Sequence, residues 1–139
     1  KKNINNKKSN LLKYIDDCKD KGFIWGQWDC LKFVNGAVKA QRNVGFADDW
    51  FGSYSTPRGA ALNYARITRY GIYNNVIEGI DDRLSRCSLA EVGSIVAIES
   101  GTDILGYCLG VKVDRRTAFV GEKGLLFADV NRYITWSVE

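Results

Sequence analysis

The order of residue periods predicts an α+β domain, with N-terminal helices packed on a C-terminal antiparallel β-sheet. Three observations carry this. Apolar residues in the first half recur at helical spacing. From Gly93 onward they alternate as in strands. Gly121-Glu122-Lys123-Gly124 then separates two strand-like runs by a tight turn, so the strands meander. No repeat or low-complexity linker follows residue 8. The expected organisation is a basic arm over residues 1–8 and a single domain over 9–139.

Residues 1–8 (KKNINNKK) are polar and non-periodic, and alone such a segment is expected to be disordered. An ordered arm would imply that something holds it, a neighbouring subunit being the natural candidate. Ser9 is placed to cap a helix reaching about residue 20. Its apolar stripe is Leu11, Leu12, Ile15 and Cys18. Lys21-Gly22 ends it, and the aromatic stretch Phe23-Ile24-Trp25-Gly26-Gln27-Trp28 follows. Asp29 stands at an N-cap position for a second helix over 30–42, which puts Cys30 in its first turn. The next loop carries Phe46, Trp50, Phe51 and Tyr54, read either as core or as a contact surface. Thr56-Pro57 starts a third helix that stops at Gly71. Residues 72–92 are ambiguous: Val76, Ile77, Ile80 and Leu84 fit a helix, while 83–87 fits a short extended piece. Strands are expected over 94–99, 106–113, 117–120, 125–128 and 135–138.

Composition removes several functions. The 139 residues contain no histidine. That excludes Ser-His-Asp triads, Cys-His dyads and Cys/His zinc sites built from this chain alone. The net charge of +4 equals the four lysines of the arm, Lys1, Lys2, Lys7 and Lys8, so the remaining body sums to zero. A neutral body argues against a nucleic-acid partner. The polar N-terminus does not read as a signal peptide, and no apolar run is long enough to span a membrane. Cys18, Cys30, Cys87 and Cys108 form no C-x-x-C pair and read as thiols, most of them small buried groups. Asp48-Asp49 and Asp81-Asp82 lack a calcium-loop pattern, and Gly121–Gly124 lacks the G-K-[ST] of a phosphate loop. No cofactor and no metal is implied.

Chemistry, if present, belongs at Trp25-Gly26-Gln27-Trp28-Asp29-Cys30. A cysteine in the first turn of a helix sees the positive end of the helix dipole and unpaired N–H groups, and both favour the thiolate. Gly26 permits a tight turn before the helix. Trp25 and Trp28 are candidate walls of a binding cleft. The alternative is ordinary packing of a buried thiol and two core tryptophans.

Trp25-Gly26-x-x-Asp29-Cys30, then Gly93-Ser94-Ile95-Val96-Ala97-Ile98, then Leu105-Gly106-Tyr107-Cys108-Leu109-Gly110, then AFVGEKGL at 118–125 and the closing Trp136, occur in a telling order. Over residues 22–138 this resembles the NlpC-type cell-wall peptidases of papain-like fold. It resembles more closely their relatives encoded in phage and prophage tail gene clusters. The resemblance implies that Cys30 occupies the nucleophile position. Active members carry a histidine two residues before the glycine of the second sheet strand. That position here is Ile104, or Leu105 if the register slips by one. The third polar residue falls near Thr117-Ala118 and is not evident, and the usual Gly-Asp is Gly93-Ser94. A positioned general base contributes typically ~10²–10⁴-fold. Asp29 or Asp103 would be a poor substitute, as a weak base whose charge opposes a nearby thiolate.

The resemblance therefore implies a non-catalytic phage tail component, in the tip, hub or connector region, with Cys30 as a vestigial nucleophile. It would be assembled in the bacterial cytoplasm, reside in the virion and contact other tail proteins in a homo- or hetero-oligomer, the arm serving as a contact. The alternative is a cysteine hydrolase acting on peptidoglycan, an endopeptidase or amidase, using Cys30 with a non-histidine or partner-supplied base. A third reading is a module gripping glycan or peptide between Trp25, Trp28 and the sheet.

Overall fold

The computed structural model describes residues 4–71, 75–100 and 105–139. Helices come first: α1 (Ile4–Cys18), α2 (Cys30–Arg42), α3 (Pro57–Thr68) and α4 (Asn75–Asp81). Strands follow: β1 (Ser85–Cys87), β2 (Ile95–Glu99), β3 (Tyr107–Lys112), β4 (Thr117–Gly121), β5 (Gly124–Ala128) and β6 (Ile134–Ser137). The strands form one antiparallel sheet in the order β1-β6-β2-β3-β4-β5. β2 to β5 meander as expected. β6 then returns across the sheet and inserts between β1 and β2, a step that no local residue pattern announces.

α2 is the central helix. It buries Leu31, Phe33, Val34, Asn35, Ala37, Val38 and Gln41, because α1 covers one side and the sheet the other. At Gly36 a Cβ would overlap the Tyr14 ring, so glycine permits the close α1–α2 approach. Tyr14 stacks on Phe33 at 5.9 Å and donates to the Phe33 carbonyl at 2.8 Å. The buried polar residues of α2 each anchor a loop. Asn35 Oδ1 accepts from Ala47 N–H, and Asn35 Nδ2 donates to Asp48. Gln41 Nε2 donates to the Gly93 carbonyl at 3.0 Å, holding the positive-φ turn that launches β2.

The N-terminus departs from expectation. α1 begins at Ile4, so Ser9 lies inside the helix and caps nothing, and residues 4–8 are helical. Lys7 donates to the Val138 carbonyl at 2.8 Å, so this part of the arm is held by the chain's own C-terminal end. Residues 1–3 lie outside the described residues. The helix ends at Cys18, before Lys21-Gly22. Of the ambiguous 72–92 stretch, residues 72–74 lie outside the described residues, and the rest resolves into α4 and β1, so both of its patterns are used in turn.

The aromatic loop is core at its centre. Phe46 and Trp50 are buried, with rings 5.7 Å apart, and Arg83 lies over Trp50. Asn63 of α3 donates to the Trp50 carbonyl at 2.6 Å. The contact-surface reading therefore fails for these two residues, while Phe51 and Tyr54 are half-buried. All four cysteines are thiols, but only Cys18 is buried; Cys30, Cys87 and Cys108 are half-buried, which corrects the expectation that most would be core. Among the described residues no helix is long and apolar enough to cross a membrane.

Candidate functional site

The site is built on the turn that enters α2. Ile24 and Trp28 close it with two backbone hydrogen bonds of 2.8–2.9 Å. Gly26 sits at φ 80°, and a side chain there would overlap the Tyr54 carbonyl oxygen. Both facts require glycine. Asp29 is the N-cap, and its Oδ1 accepts from Lys32 N–H at 3.1 Å. Its Oδ2 accepts from Gly26 N–H at 3.1 Å and from the Tyr54 hydroxyl at 2.9 Å. The Tyr54 hydroxyl lies 2.7 Å from that of Tyr64 on α3. One buried carboxylate thus ties together the turn, the helix and the loop above it. Lys32 adds a second tie by donating from Nζ to the Gly26 carbonyl at 2.7 Å, with its ammonium over the Phe51 ring.

Cys30, the first residue of α2, opens onto a narrow slot between this turn and β3. The slot has a volume of about 10 Å³, room for roughly one water molecule. Leu31, Val76, Leu105 and Leu109 supply its aliphatic walls, with Trp25, Tyr64 and Tyr107 around them. Burial pushes the pKa of both Tyr54 and Tyr64 upward, and the Asp29 carboxylate pushes in the same direction. Both phenols therefore stay protonated at neutral pH and act as donors, not as bases. Asp29 is engaged by three donors and shaped as a cap.

Of the residues singled out from the sequence, the fold brings Cys30, Asp29 and Trp25 together. Trp28 does not line the slot. It turns its ring edge toward Phe33 at 6.0 Å and carries Lys21 Nζ over its face at 3.9 Å. Of the two tryptophans only Trp25 lines the slot, and it also meets Phe23 edge-on at 4.8 Å. Ile104 and Asp103 lie outside the described residues. Leu105, the alternative position for the family's histidine, is buried in the slot wall. Thr117 and Ala118 are buried on β4. Tyr64 was not singled out from the sequence. Its only local signal is its place among the buried Ala60, Ala61 and Asn63 on α3.

A family model described as a domain of unknown function, DUF6950, matches residues 3–138. No curated protein and no solved structure matches the chain. The model match covers helices, site and sheet alike, and the chain belongs to the DUF6950 family.

Proposed function

We propose that this chain is a non-catalytic structural component of a bacteriophage tail, built on an NlpC-type, papain-like scaffold that has lost its hydrolase chemistry. The observation that carries this is the setting of Cys30. The thiol stands where the resemblance puts a nucleophile, yet its slot admits about one water, with three leucines and a valine in its wall beside Trp25, Tyr64, Tyr107 and the committed Asp29. The chain contains no histidine to ionise it or to protonate a leaving amine. Asp29 is committed to capping and loop anchoring. The tail assignment is supported by the resemblance of the 118–125 hairpin and of the closing Trp136 to tail-cluster relatives. Other tail proteins are its partners in this reading, and the virion its destination after assembly in the bacterial cytoplasm.

Quantitative mass spectrometry of purified particles from a host carrying the gene tests the assignment. The chain is expected in fixed stoichiometry with other tail subunits. Its absence from particles, with only free monomer in the cell, contradicts it.

One observation favours the hydrolase alternative: Cys30 lies in the first turn of α2, where the helix dipole stabilises a thiolate. That reading requires a base from a partner chain. It predicts that iodoacetamide labels Cys30 at neutral pH much faster than the other half-buried thiols, Cys87 and Cys108. Equal labelling of the three removes its support.

A further inference from the structure

A second cavity, of about 600 Å³, lies at one end of the sheet, and Tyr107 lines both it and the Cys30 slot. Its origin is a step between strands. β6 begins at Ile134, opposite Ala97, whereas β2 runs on to Glu99, opposite Tyr107 of β3. The Ser100 N–H donates to the Gly106 carbonyl on the β3 side at 3.0 Å. Backbone groups alternate sides along an antiparallel strand. The Glu99 N–H and C=O therefore point the other way, to where β6 has not begun. Among the described residues no strand faces that pair.

The cavity mixes apolar and polar surface and carries charge at its rim. Half-buried Ile98, Val130 and Ile134 provide aliphatic surface. Glu99 and Arg132, of opposite sign, are both exposed, and neither joins an ion pair among the described residues. A pair of strand hydrogen-bonding groups that no described strand faces, a partly aliphatic lining and two exposed charges of opposite sign match one ligand chemistry.

We propose that this cavity binds a short extended peptide with free ends, laid along the edge of β2. The Glu99 backbone pair makes strand-type hydrogen bonds to it, as in recognition by β-augmentation. The Arg132 guanidinium takes the terminal carboxylate, a geometry suited to its fork of donors. The Glu99 carboxylate takes the ammonium, and the aliphatic part of the lining takes one side chain. The volume falls within the roughly 300–1,000 Å³ of small-ligand sites. The mixed charge of the rim disfavours polyanions such as nucleic acid. Binding is non-covalent, and it stands apart from the fate of the Cys30 chemistry.

Titration of the ¹⁵N-labelled full chain with the tripeptide Ala-Leu-Leu, followed by NMR, tests this. Saturable shifts are expected at 97–99, Tyr107 and 130–134, with Kd of about 1 mM or tighter. Amidating the peptide's carboxylate should weaken binding about tenfold, and Arg132→Ala should weaken it about as much without changing the melting temperature. The amidated peptide needs no variant to fold. Absence of saturable shifts, or equal affinity for the free and amidated peptides, overturns the proposal.

Discussion

Asp29 does more for the fold than any other polar side chain near Cys30. It caps α2, holds the positive-φ turn at Gly26 and anchors Tyr54, all while buried. Asp29→Ala removes the cap on Lys32 N–H, leaves the Gly26 N–H without its acceptor and leaves the Tyr54 hydroxyl with Tyr64 alone. It should lower stability by about 3 kcal/mol in urea unfolding. Cys30→Ala removes one half-buried sulfur and should cost no more than about 1 kcal/mol. A hydrolase site would show the reverse emphasis, with the thiol mattering to activity and little else. The cap was legible in the sequence because Asp before an apolar-periodic run is a local signal. Tyr64 was not, since its hydroxyl meets Asp29's network through Tyr54, across a loop and a helix. Nor could the residue string separate Trp25, which lines the slot, from Trp28, which packs on Phe33. Both occupy one turn, and their difference is set by what lies across from them.

At the scale of elements, α2, α3 and the strands followed their sequence signals closely. Thr56 caps α3 with Pro57 at its first position, and alternation placed β2 to β5 to within a residue or two. The start of α1 was hidden because residues 4–8 show no apolar period, while one of them, Lys7, is tied to the distant C-terminal end. Lys7→Ala should therefore lower stability by about 1 kcal/mol, read by urea unfolding, through loss of its bond to Val138. The aromatic loop was ambiguous because a tryptophan in a loop reads alike as core or interface. Trp50 proved to be core, held between Phe46 and Tyr64 and fixed by Asn63. Trp50→Ala should cost about 3–5 kcal/mol. α4 joins the sheet through Asp81, which accepts two bonds from Arg86 and one from Trp136 Nε1 on β6. The bonds from Arg86, more than that from Trp136, hold the Asp81 carboxyl below the usual carboxylate range. A pKa depressed by folding contributes stability that is full above the unfolded value, near 4, and is lost as pH falls through the folded value. Asp49, paired with exposed Arg83, shifts in the same direction. Asp81→Asn should thus flatten the fall in stability below about pH 5, measured by urea unfolding at a series of pH values. Because the pair is partly exposed, added salt should shrink the difference.

For the whole molecule, the class was readable from periodicity and the topology was not. Helical spacing before Gly93 and alternation after it fixed helices on an antiparallel sheet. The return of β6 between β1 and β2 depends on long-range pairing, and it creates the step that opens the cavity at Glu99. The absence of histidine was a compositional fact, and the fold gives it a setting. A cysteine at a helix start meets a slot for about one water between aliphatic and aromatic side chains, and its neighbouring carboxylate and phenols are engaged as cap and donors. On the function proposed above, this scaffold serves assembly and performs no hydrolysis. The most direct test is mass spectrometry of peptidoglycan muropeptides after incubation with the purified chain and with Cys30→Ala. The predicted result is the same intact muropeptide profile in both. New cleavage products that require the Cys30 thiol would contradict it.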